Sequence, residues 1–195
     1  MKKLLTLMIF LVLIGCCQSE IEYSNLLTST EKSLIPYFTY NNSYFNDENG
    51  NEIRASFDPR ILERHNERPG PESCELEEYE SLNGEIRFLS RNFVIKMKIF
   101  THFESRFLTL TEYFYGDQTF GVDFNIDCNN ATFNLDNIKL DDKLENIELL
   151  NFEFKKVIVI ENCSVDSTIN KMIISPNKGL IFILYKDNSY LKLID

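Results

Sequence analysis

The stretch Thr119-Phe120-Gly121-Val122-Asp123-Phe124-Asn125-Ile126-Asp127 decides the fold class. Its even positions are Phe120, Val122, Phe124 and Ile126, and its odd positions are Thr119, Gly121, Asp123, Asn125 and Asp127. Successive side chains of a β-strand point to opposite faces, so a period of two describes a strand with one apolar and one wet face. That pattern is the habit of antiparallel sheets. Towards the N-terminus, Phe93, Ile95, Met97 and Ile99 alternate with Lys96 and Lys98 in the same way, and residues 107–115 mix aromatic, Thr and Leu residues that favour strands.

Towards the C-terminus the pattern weakens after Ala131-Thr132-Phe133, where Leu140, Leu144, Ile147 and Asn151 fit a short amphipathic helix as well as a bent strand. Residues 152–160 are strand-like again, and Val157, Ile158, Val159 and Ile160 are too apolar for an edge wet on both sides. A three-strand meander follows: 172–174, a turn at Pro176-Asn177-Lys178-Gly179, 180–185, a turn at Lys186-Asp187-Asn188, and 190–194.

Before the centre, Pro36 marks an edge or strand start in the aromatic segment 34–40. Asn49-Gly50 between Tyr44-Phe45 and residues 53–57 predicts a hairpin with a type I′ turn, both of whose central positions need positive φ. The acidic segment 47–52 is turn chemistry rather than a calcium loop, because EF-hand spacing would put Phe45 at the first ligand position. From Asp58 to Glu78 the apolar content falls and Pro59, Pro69, Gly70 and Pro71 break regular structure. Residues 60–65 predict one helical turn with Pro59 at its first position, and the carboxylate run Glu75-Leu76-Glu77-Glu78-Tyr79-Glu80 predicts a solvated face or loop. About nine to eleven strands at this spacing predict a mainly β fold. The expected architecture is an antiparallel meander forming a sandwich or an open or half barrel, with at most one or two short helices.

The N-terminus carries a different signal. Lys2 and Lys3 precede an apolar stretch from Leu4 to Ile14, interrupted only by Thr6, and then comes Leu13-Ile14-Gly15-Cys16. A basic start, a short apolar core and a small residue before a cut form a secretory signal, and the stretch falls short of the roughly 20 residues that span a bilayer. Removing residues 1–15, two of which are lysines, leaves 180 residues and moves the net charge from −10 to −12. One domain of that size buries about 70% of the surface its unfolded chain exposes. So acidic a surface repels nucleic-acid backbones and anionic head groups, which excludes nucleic acid as an expected partner.

The five cysteines are Cys16, Cys17, Cys74, Cys128 and Cys163. With Cys16 set aside, four in an exported compartment allow three pairings. Cys128 with Cys163 is favoured, because each follows a strand-like run, while Cys17 lies on the tether. No C-x-x-C spacing supports zinc, and no metal or other cofactor is expected.

Catalytic signatures are few. His65 lies in the polar segment Arg64-His65-Asn66-Glu67-Arg68, and His102 in Thr101-His102-Phe103-Glu104, a turn between two strands. There is no G-x-S-x-G elbow, papain-like cysteine context, P-loop or G-x-G-x-x-G. Thirty acidic residues supply carboxylate pairs by chance, and the absence of Trp counts against a sugar cleft, although nine Tyr and sixteen Phe offer stacking faces. The chain is not expected to be an enzyme.

Leu13-Ile14-Gly15-Cys16 resembles the bacterial lipobox. Together with the polar segment after it, the β-rich body and the closing Lys178-Gly179-Leu180-Ile181-Phe182 hairpin, it is similar to the small lipoproteins of the Bacteroidetes and flavobacteria. The resemblance implies that Cys16 becomes the N-terminal residue and carries the lipid, and that two or three acyl chains hold stably where one holds only reversibly. It also implies the outer membrane, since Cys17 is not the aspartate that retains lipoproteins at the inner membrane. The expected organisation is a signal peptide over 1–15, a lipidated cysteine and flexible tether over 16–32, and a single β-rich domain over 33–195. The expected role is non-catalytic binding or scaffolding in the envelope, facing an envelope protein. The alternatives are a half-barrel carrier of an apolar ligand and an acid-residue hydrolase.

Overall fold

The computed structural model describes residues 21–68, 76–102, 105–114, 122–124, 144–161 and 168–194. Within them the chain is mainly β, with twelve strands, one short α-helix, α1 (Ser29–Ser33), and a single 3-10 turn at Leu89–Arg91. The strands are β1 (Ile21–Asn25), β2 (Asn41–Asp47), β3 (Glu52–Glu67), β4 (Leu76–Phe88), β5 (Phe93–His102), β6 (Ser105–Phe114), β7 (Val122–Phe124), β8 (Glu145–Leu149), β9 (Phe152–Glu161), β10 (Ile169–Ser175), β11 (Gly179–Tyr185) and β12 (Tyr190–Leu193). Their order is β7-β6-β5-β4-β3-β2-β12-β11-β10-β9-β8, with β1 added in parallel to β4.

Two antiparallel meanders, β2 to β7 and β8 to β12, are therefore joined through one long-range pairing, Leu191 opposite Asp47 and Leu193 opposite Phe45. Among the described residues nothing pairs β7 with β8, and the sheet is open. The predicted alternation holds in β5, where Phe93, Ile95, Met97 and Ile99 are buried while Lys96 and Lys98 are exposed. Of the stretch 119–127, Val122–Phe124 is β7 against β6, and the other residues lie outside those described.

The main core lies on one face and takes residues from both meanders, including Phe45, Ile86, Ile95, Ile160, Met172 and Ile183. On β9 to β11 the intervening residues Phe154, Ile173, Phe182 and Leu184 bury the opposite face as well. Both faces of β11 are thus apolar, which is why its sequence reads as a run rather than an alternation.

Four sequence expectations are corrected. The tether over 16–32 is structured from Ile21 onward. Ile21 to Asn25 pair with Leu76 to Tyr79 along the edge of β4 that β5 leaves free, where main-chain pairing holds the strand. The helical turn over 60–65 is part of β3, which passes Pro59 by a bulge. Asp58 faces Glu85 but Ile61 faces Asn83, so three steps on β3 match two on β4. A bulge tolerates a residue with no N–H to give. The carboxylate run is not solvated throughout, since Glu77 and Glu80 are buried within β4. The Asn49-Gly50 hairpin exists, but only Gly50 has positive φ, +80°. The Gly50 N–H donates to the Asp47 carbonyl and the Asp47 N–H to the Asn51 carbonyl, a type I turn closed by a glycine bulge, and the Asp47 side chain holds it by accepting from the Asn49 and Asn51 N–H groups. The open choice over 140–151 resolves to strand for Glu145–Leu149, with 140–143 outside the described residues.

Candidate functional site

The segment 26–40 lies across the core face and builds the site. Thr28 starts α1 with a capping box: its hydroxyl accepts from the Glu31 N–H at 3.2 Å, and the Glu31 carboxylate accepts from the Thr28 N–H at 2.6 Å. Beyond the helix, Leu34, Ile35 and Tyr37 are buried in the core. Gly84 of β4 leaves room for Ile35, whose Cγ2 would collide with any Cβ there. Gly179 does the same for Tyr37 and Pro36.

Three strands and a turn fasten this segment. The bulge at Pro59 turns Arg60 onto it: the Arg60 N–H donates to the Tyr37 carbonyl at 2.6 Å, and Nη1 donates to the Lys32 and Ile35 carbonyls at 2.6 and 3.0 Å. The same guanidinium lies 3.8 Å from the centre of the Phe38 ring. The Leu180 N–H donates to the Tyr37 hydroxyl at 3.0 Å, and the Asn177 N–H donates to the Ser33 carbonyl at 2.8 Å.

The fourth fastening is Glu80, 1% exposed. It continues the period-two core stripe of β4, Phe88-Ile86-Gly84-Leu82, into charge. Its carboxylate accepts from Lys32 Nζ at 2.7 Å, Arg64 Nη2 at 3.0 Å and the Leu27 N–H at 3.1 Å, and its own N–H donates to the Thr101 hydroxyl at 3.1 Å. Burial pushes this carboxyl upward, yet the hydrogen bonds of Lys32 and Arg64, with the Lys32 charge and the Leu27 N–H, outweigh it and hold the group below the usual carboxylate range.

Two clefts open on either side of the turn 176–178, and Asn177 lines both. One, of about 470 Å³, has Ser29, Thr30 and Ser33 from α1 together with Lys155 and Lys156 from β9. The other, of about 250 Å³, rests on the buried Tyr37 and Phe57 and is bordered by the exposed Phe38, Asn41 and Lys178. Phe38 is 69% exposed and the nearby Tyr40 63%. Aromatic faces beside amide and hydroxyl groups suit a ligand with both C–H faces and hydroxyls.

No protein-family model, curated protein or solved structure matches the chain.

The residues singled out as catalytic suspects fall elsewhere. His65 stacks on Tyr79, with ring centres 4.9 Å apart, and its Nε2 lies 3.4 Å from the Ser81 hydroxyl and 3.7 Å from Glu63 Oε2. A serine relay needs the carboxylate on one ring nitrogen and the serine on the other. Here both crowd Nε2, and Ser81 is buried. His102 ends β5, and Phe103 and Glu104 after it lie outside the described residues. Cys16, Cys17, Cys74, Cys128 and Cys163 also lie outside them, and with them the lipidation site and the Cys128–Cys163 pairing. Among the described residues no three His, Cys, Asp or Glu side chains gather as metal ligands, and no helix is long and apolar enough to cross a membrane.

Sequence reasoning missed Phe38, Glu80 with Lys32, and the lysine pair. One signal was present. Lys155-Lys156 interrupts the apolar residues Phe152 and Phe154 before the unbroken run from Val157 to Ile160, a break in the alternation that does not by itself say which face either lysine takes.

Proposed function

We propose that the chain is a non-catalytic binding protein of the bacterial cell envelope. It is held to the outer membrane through lipid on Cys16 and recognises a saccharide at the clefts flanking the turn 176–178. The observation that carries the binding half is the pair of clefts built on a firmly fastened segment, with an aromatic ring left exposed beside amides and hydroxyls. A carrier of apolar ligands would need the core face, and that face is taken by Leu27, Leu34, Ile35 and Tyr37 of the chain itself. The reading of a rim binder is favoured for that reason.

The anchor half rests on Leu13-Ile14-Gly15-Cys16. Ile21 is already paired in the sheet. Extended residues advance at most about 3.6 Å each, so a lipid on Cys16 keeps the body within about 18 Å of the bilayer surface.

Labelled palmitate is expected to enter the wild type and not Cys16→Ala, which should move to the aqueous fraction; equal labelling of both removes the anchor. For the binding half, the full chain in detergent is expected to be retained on isolated envelope polysaccharide, and Phe38→Ala to weaken retention about tenfold. An exposed side chain is a safe place for this substitution, since its loss leaves the core intact. No retention of the wild type, or retention unchanged in the variant, rejects the cleft.

A further inference from the structure

Resting on the saccharide-binding reading, we propose that the larger cleft takes the phosphate group of a phosphorylated saccharide, gripped by Lys155 and Lys156.

Adjacent residues of a regular strand point to opposite faces. On β9 they do not. Glu145 pairs with Val157 but Ile147 pairs with Phe154, so three steps of β9 match two of β8. Lys156 sits inside this bulge with φ of +52°, a left-handed conformation that L side chains rarely adopt. The bulge is held by a hydrogen bond from the Lys156 N–H to Asn146 Oδ1 at 2.9 Å. Its effect is to bring two consecutive lysines to the same cleft, as bulges do when they re-aim a side chain.

The composition of the cleft supports an anion. The chain carries thirty acidic residues against twenty basic ones, yet among the described residues no carboxylate lines this opening. The ion pair that an exposed neighbour makes here, Glu153 with Lys155 Nζ at 3.6 Å, lies between two largely exposed side chains and is readily exchanged for another anion. Opposite the lysines stand the hydroxyls of Ser29, Thr30 and Ser33 and the amide of Asn177, donors and acceptors suited to sugar hydroxyls. At about 470 Å³ the space exceeds what a lone phosphate fills and matches a phosphate with a sugar ring attached.

The test titrates the full chain in detergent with mannose 6-phosphate, mannose, inorganic phosphate and dihexanoylphosphatidylglycerol below its micelle concentration. Binding of mannose 6-phosphate is expected at least tenfold tighter than that of mannose or inorganic phosphate. Lys155→Gln and Lys156→Gly are each expected to weaken it about tenfold. Glycine is at ease at positive φ, so Lys156→Gly should melt no lower than wild type, which separates a lost contact from a lost fold. Absence of phosphate-dependent binding, or binding untouched by both substitutions, overturns the proposal. So does binding of the short-chain lipid alone, which would make the ligand a head group. If envelope polysaccharide is still retained through Phe38 in those cases, the general binding reading survives while this assignment falls.

Discussion

Gly179→Ala is expected to lower the melting temperature by about 10 °C, whereas Gly50→Ala lowers it by only a few degrees. Both glycines have φ near +80°, +74° and +80° respectively, so alanine meets the same backbone penalty of roughly 1–2 kcal/mol at each. Nothing lies within 4 Å of a Cβ at Gly50, but at Gly179 the new atom overlaps the Tyr37 hydroxyl and lies 3.0 Å from Pro36 Cδ. Forcing an extra carbon into a packed site costs about 1–3 kcal/mol more. Each kcal/mol is worth about 2–4 °C in a domain of this size. The Tyr37 ring cannot step aside cheaply, because its hydroxyl accepts from the buried Leu180 N–H and its ring packs on Phe57 at 4.4 Å. Burial keeps that hydroxyl protonated far above neutral pH, with the Leu180 bond pulling weakly the other way. Calorimetry of the two variants side by side is the check. Equal losses would mean that the segment 26–40 is not seated against the β10–β11 turn.

Glu80→Ala is expected to cost about 3–5 kcal/mol, the usual penalty for removing one partner of a buried ion pair. It leaves Lys32 and the Leu27 N–H without their acceptor and Arg64 with Glu78 alone, at 3.3 Å. The pH dependence follows from the lowered pKa. A carboxyl held below its unfolded value contributes stability that is present above the unfolded value, near 4.3, and is lost as pH falls through the folded one. Urea unfolding of the wild type should therefore weaken from about pH 5 downward. Glu80→Gln should start less stable at pH 7 and lose less on acidification. The slope will not vanish, because hydrogen bonds from Asn51 and Ser189 also hold Asp47 and Asp187 low. Parallel pH profiles for wild type and Glu80→Gln would show that this carboxylate is not the one protonated.

Legibility in the sequence tracked the range of the interaction. The β5 alternation, the β10 to β12 meander and the turn at Gly50 are settled by residues within a few positions of one another, and they were readable. The bulge at Pro59 was misread as a helix start because proline suits both, and the choice between them is made by β4 on the other side of the hairpin. Glu80 looked like part of a solvated run because four of the six residues from Glu75 to Glu80 are carboxylates; its partners Lys32 and Arg64 lie far away along the chain. Residues 21–32, the described part of the expected tether, were misread for the same reason. Their apolar residues are scattered among polar ones with no strand or helix period, and they are held by the free edge of β4 and by a capping box whose worth depends on having a core to dock on.

Alternating side chains thus determined that the chain makes strands, since a pleated backbone sorts successive residues to two faces whatever else is present. What only the tertiary structure decided is how the two meanders meet, at β2 and β12, and that the segment between β1 and β2 is drawn across the core. Strand pairing at an edge satisfies any backbone equally, so no local pattern names the partner. The choice is made by apolar surface that both meanders must bury together.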